Sequence, residues 1–129
     1  FNQQQRFEID VYDMRDERKK DDLRAQKHIG KVIFTLHTLV SAFNQTVHLK
    51  LENSKALVQV VAEVMEEEHH IEKTVSFKVN CDLTAKHAMV FFVVWKWMAS
   101  GKYKPIYKSE TKVPEQGLAE WDTVSIDTQ

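Results

Sequence analysis

From Phe7 to Tyr12 apolar and polar residues alternate, with Phe7, Ile9 and Val11 on one side. Side chains of a strand point to opposite faces in turn, so this period of two predicts a half-buried β-strand. The pattern recurs along the chain. Val32, Phe34 and Leu36 mark a second strand over Gly30 to Leu36, and Val47, Leu49 and Leu51 a third. Between them, Leu36 to Phe43 reads as one amphipathic turn. Asn53-Ser54 signals a turn. Ala56 to Val64 forms a fourth strand, with Val58, Val60, Ala62 and Val64 on one face. Val75, Phe77 and Val79 define a fifth. Ala88 to Met98 is apolar on both faces and predicts a sixth strand covered on both sides. Tyr103 to Val113 and Trp121 to Ile126 complete the series as a seventh and an eighth. No segment holds a helical period over three turns. An all-β, antiparallel eight-stranded β-sandwich is the economical architecture.

Two stretches break the alternation. Arg15 to Asp22 is a mixed charge block, read as a solvated loop or a short helical turn. Met65-Glu-Glu-Glu-His-His70 shifts composition sharply and opens an acidic linker over 65–73. It divides the chain into two four-strand halves, 1–64 and 74–129. Each half alone would leave open sheet edges and a bared core, so the two are expected to close into one sandwich.

Composition narrows the function. The chain has 129 residues and a net charge of −1, which supplies no global field toward nucleic acid. Its single cysteine, Cys81, forms no internal disulfide framework and fits a reducing, cytoplasmic setting. No apolar run approaches the length of a membrane-spanning helix. The start, Phe1-Asn-Gln-Gln-Gln5, lacks the features of a signal peptide and reads as a trimmed start. Three glycines and two prolines leave most turns to Asn, Asp, Lys and Ser.

Candidate chemistry is sparse. No nucleophile elbow, phosphate loop or pair of catalytic carboxylates appears, so no enzyme is expected. Cys81 and His87 are merely near in sequence. Glu66, Glu67, Glu68, His69 and His70 offer two ligand pairs if helical, but no third protein ligand accompanies them; a solvated acidic linker is the plainer reading. Trp95, Trp97 and Trp121 are read as packing residues. Lys96, Lys102, Lys104, Lys108 and Lys112 against Glu110 leave the 96–112 segment at net +4. Lys102, Lys104 and Lys108 share strand parity, which predicts one basic face with Tyr103 and Tyr107 opposite. Lysines on an exposed strand also serve simply to keep an edge soluble and unpaired.

The order of strand, Tyr12-Asp13, polar loop, Ile29-Gly30 and strand resembles the calcium-loop region of C2 domains. In that family the strand ends in Asp-x-Asp and the loop in Asp-Phe-(Leu/Met/Ile)-Gly. Here only Asp13 matches. Arg15 and Lys27 stand at the other two carboxylate positions and His28 at the aromatic one. Two cations beside one carboxylate repel a divalent ion. Asp16, out of register by one residue, and Asp82 are the weak substitutes, with Asp21 beyond them. Asp13 also reads as a strand-end residue bonding its own turn.

The chain is further similar to copines, which carry two C2 domains in tandem. Phe7 to Glu63 resembles the second half of a first C2 domain, through Val11-Tyr12-Asp13, Ile29-Gly30, Thr35-Leu36, Leu39-Val40 and Ala62-Glu63. Thr74 to Asp127 resembles the first half of a second, through Phe77-Lys-Val-Asn-Cys-Asp-Leu83, Ile106-Tyr-Lys-Ser-Glu110 and Trp121. The Asn-Pro that precedes this tryptophan in copines is replaced by Ala119-Glu120, and Thr84-Ala-Lys-His-Ala-Met89 lacks the aspartates of their second calcium loop. The resemblance implies a C2-like sandwich, here with permuted strand order, that works without calcium or another cofactor. Some C2 domains bind phosphoinositide headgroups through lysines on the equivalent strands, which implies a lipid role for Lys102, Lys104, Lys108 and Lys112.

Two functions follow as expectations. One is a non-catalytic, calcium-independent binding module that contacts an anionic membrane surface or a protein partner. The other is a structural subunit docked permanently in a larger complex. Their discriminants are the covering of Phe92, Val94 and Met98 and the freedom of the lysines.

Overall fold

The structure, a computed structural model, describes residues 5–41, 46–52, 56–65, 74–83 and 89–127. The expected acidic linker from Glu66 onward, the Asn53-Ser54 turn and the segment 84–88 lie outside the described residues, as do Phe43 and His87.

The chain folds as an antiparallel β-sandwich. The strands are β1 (Arg6–Asp13), β2 (Lys27–Thr35), β3 (Thr46–Lys50), β4 (Leu57–Met65), β5 (Thr74–Asp82), β6 (Val90–Trp97), β7 (Tyr103–Lys108), β8 (Leu118–Glu120) and β9 (Val124–Asp127). One sheet runs β2-β1-β6-β7. The other runs β3-β4-β5-β8, with β9 also paired to β5. Segments 1–64 and 74–129 each supply strands to both sheets. They join where β1 pairs with β6 from Phe7↔Lys96 to Asp13↔Val90, and where β4 pairs with β5 from Leu57↔Asp82 to Met65↔Thr74.

The alternation on the sequence determines the core. Phe7, Ile9, Val11, Val32, Phe34, Phe92 and Val94 face Val47, Val58, Val60, Val79 and Cys81 across the two sheets. Each buried side chain of this size stabilises the fold by about 1.5–3 kcal/mol before ordering costs. Strand β6 is covered on its other face too. Phe91 and Val93 pack with Tyr12 and Met14, and Leu23, Met89 and Trp95 close around them. The Phe91 and Tyr12 rings stack at 5.3 Å. This second, outer cluster accounts for the apolar run on both faces.

Three expected elements differ. The turn at Leu36 is a short α-helix, α1 (Leu36–Ser41), entered through Thr35, whose hydroxyl accepts from the Thr38 amide at 3.2 Å. The seventh strand stops at Lys108 instead of Val113. There Ser109 turns inward and its Oγ accepts from the Phe92 amide at 2.8 Å, so the chain leaves the regular ladder. The eighth strand, expected over Trp121 to Ile126, begins only at Val124 as β9, and a short strand, β8, precedes it at Leu118–Glu120. Trp121 turns in to meet Phe92 edge-on at 4.9 Å and donates from Nε1 to the Glu110 carbonyl at 2.9 Å.

Gly30 pins the sandwich at one corner. A Cβ there would meet the Glu52 carbonyl oxygen at 2.8 Å and Leu51 Cβ at 2.9 Å. The close approach lets the Glu52 amide donate to the Lys31 carbonyl at 3.0 Å, tying the end of β3 to the edge of β2.

Candidate functional site

Strand β7 does not present its lysines as alternation predicts. Tyr107 stands opposite Val94, but Pro105 stands opposite Trp95, so Ile106 is an extra residue without a partner. This bulge inverts the parity of everything before it. Lys104 stands opposite Lys96 and Lys108 opposite Val93. Positions 93 and 96 lie on opposite faces of β6, so Lys104 and Lys108 do as well. The expectation of a single face bearing Lys102, Lys104 and Lys108 is corrected by that one bulge. Pro105 carried the signal, since a proline within a strand belongs at an edge or a bulge.

Two of the four lysines are engaged elsewhere. The Lys108 ammonium donates to the Lys20 carbonyl, lies 3.2 Å from Asp21 Oδ1 and sits 5.0 Å from the centre of the Phe91 ring. Lys112 pairs through its backbone with Val90 and through Nζ with Glu110 at 3.1 Å. Lys108 thus clamps the charged loop onto the outer face, and Lys112 sits toward the far end of the sheet.

Lys102 and Lys104 remain at the β6–β7 hairpin. Its turn is closed by the Gly101 amide donating to the Met98 carbonyl at 2.9 Å, with Gly101 at φ 83°. Both lysines are exposed, and no ion pair with another described residue engages them. Tyr103 alternates between them and meets Trp97 edge-on at 4.9 Å. The Arg6 guanidinium lies 5.1 Å from the Trp97 ring centre, a cation–π distance. Gln5 Nε2 donates to the Trp97 carbonyl at 2.8 Å and fastens the start of β1 to this end. Arg6, Lys96, Lys102 and Lys104 therefore gather at this end of the sheet, with the lysines on one side of the hairpin and Arg6, Trp97 and Tyr103 on the other. Sequence reasoning found the lysines and read Trp97 as a packing residue, but missed Arg6, which reaches the hairpin only through the pairing of β1 with β6.

The strand-end carboxylates are occupied by the protein itself. Asp13 lies 3.1 Å from Arg15 Nη2. Asp16 caps a 3-10 turn (Glu17–Lys19), accepting from the Arg18 amide at 3.0 Å. Between them sits the buried Gln26 side chain. Its Oε1 accepts from the Arg15 and Asp16 amides at 2.7 and 3.1 Å, and its Nε2 donates to the Asp16 and Lys19 carbonyls at 3.0 and 2.8 Å. Lys27 stands opposite Asp13 in the β1–β2 ladder. The Asp82 backbone pairs within the second sheet, and its side chain lies outside the described residues. Among the described residues, no three His, Cys, Asp or Glu side chains gather as a metal site.

A polar cluster lies on the outer face of the first sheet. Asp10 is only 5% exposed. His28 Nε2 lies 2.6 Å from Asp10 Oδ1, and Lys31 Nζ 3.8 Å from Glu8 Oε1. Burial, reinforced by Asp10, pushes the Glu8 carboxyl up from 4.5 to about 7. Burial also raises Asp10, against a hydrogen bond from Glu8 that holds it down. Burial lowers the His28 imidazole, and its Nε2 is within hydrogen-bond distance of the Asp10 carboxyl. Glu8 and Asp10 looked like ordinary solvent-facing positions in an alternating strand; the apolar outer face of β6 beside them was the missed signal.

Next to this cluster an open groove of about 400 Å³ runs between the charged loop and β7, lined by Asp21, Leu23, Val93, Trp95, Pro105 and Lys108. No helix among the described residues is long and apolar enough to cross a membrane. No family model, curated protein or solved structure matches the chain.

Proposed function

We propose that the chain is a non-catalytic, calcium-independent binding module whose β6–β7 hairpin contacts an anionic membrane surface. The observation that carries it is the pairing of free cations with interfacial aromatics at one end of the sheet. Lys102 and Lys104 project unpaired, while Trp97 and Tyr103 lie between them and Arg6. Amphipathic rings favour the headgroup level of a bilayer. The resemblance to C2 domains supports the same reading, and the occupied state of Asp13 and Asp16 supports independence from calcium. Lys108 and Lys112 drop out of the contact because their charges are committed within the fold. Basic residues near an anionic surface contribute about 1 kcal/mol each, so Arg6, Lys102 and Lys104 amount to roughly 3 kcal/mol. That corresponds to an affinity of roughly 6 mM before any aromatic insertion, hence a weak, peripheral and salt-sensitive association. A cytoplasmic, membrane-peripheral place goes with it.

The covered state of Phe92 and Val94 weighs against the alternative of a permanently docked assembly subunit, which needs a bared aromatic strand. The test is Trp97 fluorescence. Vesicles rich in anionic lipid, added in chelator, shift the emission to the blue, and Trp97→Phe removes the shift. A shift that survives Trp97→Phe removes the hairpin from the contact.

A further inference from the structure

Among the described residues, strand β2 is the edge of its sheet, and only β1 pairs with it along its length. On the face where Glu8, Asp10 and His28 meet, that pairing is crossed by charge. Glu8 and Asp10 follow one another at the strand period and point the same way. Opposite Glu8 stand Ile33 on β2 and Trp95 on β6; opposite Asp10 stand Lys31 and Val93. His28 reaches Asp10 from the far side of a β1–β2 register shift.

We propose that the Glu8–Asp10–His28 cluster is a proton-operated latch on edge strand β2, closed while one proton sits between the two carboxyl groups and loosened when that proton leaves. In the closed state the Glu8 hydroxyl donates to the Asp10 carboxylate, and His28 Nε2–H donates to the same carboxylate from β2. One charge is then shared by two donors, an arrangement a nearly buried carboxylate tolerates. When the Glu8 proton passes to solvent, its O–H bond breaks and two carboxylates face each other with little water between them. Against the added charge stand Lys31, at 3.8 Å and partly in solvent, and more weakly His28.

The surrounding groups do not cancel this effect. On β1 the Tyr12 hydroxyl is pushed up to about 12, by burial first, and stays neutral. On β2 burial lowers the His28 imidazole, and Lys31 is the stronger of the two groups that oppose negative charge on Glu8. From the end of β3, Glu52 adds a further negative charge that raises Asp10. On β6 the facing side chains are Val93 and Trp95. The Trp95 indole N–H helps hold the Asp10 carboxyl down, yet it is shut from water and closes no hydrogen bond of ordinary geometry. On β7 Lys108 is committed to Asp21 and the Lys20 carbonyl. The balance therefore worsens on the β1–β2 face when Glu8 ionises. Strand β2 gives way first, since among the described residues its other edge is held by one backbone hydrogen bond, from Glu52, and not by a strand.

Amide hydrogen exchange of the whole chain between pH 6 and 8.5, corrected for the intrinsic rate, tests the latch. The Lys31 carbonyl points away from β1 to Glu52, so the amides of Val32 and Phe34 face β1 and report the pairing. Their protection falls roughly tenfold or more across this range, while that of Val58 and Val60 in the central strand β4 changes less. Glu8→Gln keeps a donor toward Asp10 and removes the titration, so it abolishes the pH dependence at Val32 and Phe34. Carbon NMR of the Glu8 carboxyl independently places its titration near neutrality. The latch is overturned if Glu8→Gln keeps the wild-type pH profile, or if Val32 and Phe34 lose protection only in step with Val58 and Val60.

Discussion

The Arg15 guanidinium lies 3.1 Å from the Asp13 carboxylate, at the strand end where the C2-type pattern would gather aspartates around calcium. A side-chain cation stands beside the one carboxylate that matches. Adding 1 mM calcium is therefore expected to move the melting temperature by less than about 1 °C. A real site at 100-fold excess of ligand would add about 2.7 kcal/mol, worth several degrees. Differential scanning calorimetry with calcium and with chelator measures this directly.

Gln26 holds the same loop through four hydrogen bonds, at 2.7 to 3.1 Å. Gln26→Ala is expected to destabilise the protein by about 2 kcal/mol, below four full bonds because water reaches part of the loop. Gln26→Glu places a carboxylate oxygen against the Asp16 and Lys19 carbonyls and is expected to cost at least as much at neutral pH. Urea unfolding of both variants gives the comparison.

The Glu8 carboxyl also makes stability depend on pH. Its folded value is raised from 4.5 to about 7, so the folded state binds the extra proton. The stability it contributes is full below about 4.5 and is lost as pH rises through 7. His28, lowered by burial, acts oppositely: its contribution is present above its ordinary value of 6.5 and is lost as pH falls. Relative to wild type, Glu8→Gln should thus be increasingly stabilised from pH 5 to pH 8. Denaturant midpoints at the two values show the trend, and a difference that shrinks with pH would contradict it.

Trp121 joins the sheets by packing on Phe92 at 4.9 Å and by its bond to the Glu110 carbonyl at 2.9 Å. Trp121→Ala should cost about 3–5 kcal/mol, as truncation of a buried aromatic does. Trp121→Phe keeps most of the packing and loses the hydrogen bond, for about 1–2 kcal/mol. Thermal unfolding separates the two.

Much of the sandwich was legible because burial imposes period two. Phe7, Ile9 and Val11 or Val58 and Val60 declare their face by spacing alone. The two-sided burial of β6 was equally visible in its unbroken apolar run. What escaped was non-local. A single bulge at Ile106 reversed the faces of Lys104 and Lys108, and spacing counts residues without seeing which one the ladder omits. Arg6 joins Trp97 only because β1 pairs with β6 across 90 intervening positions (7 to 96 in the register). Glu8 and Asp10 look solvated in an alternating strand until the apolar neighbour on β6 covers them. Trp121 reads as the start of a strand, but the strand begins only at Val124, while the indole packs on Phe92.

Vesicle co-sedimentation of the intact chain tests the central claim most directly. Anionic and neutral vesicles are compared at low and high salt, each with calcium and with chelator. The hairpin account predicts pelleting with anionic vesicles only, equal in calcium and chelator, reduced by salt, abolished in Lys102→Ala/Lys104→Ala and retained in Lys112→Ala. No pelleting under any condition, or pelleting that requires calcium, would contradict it.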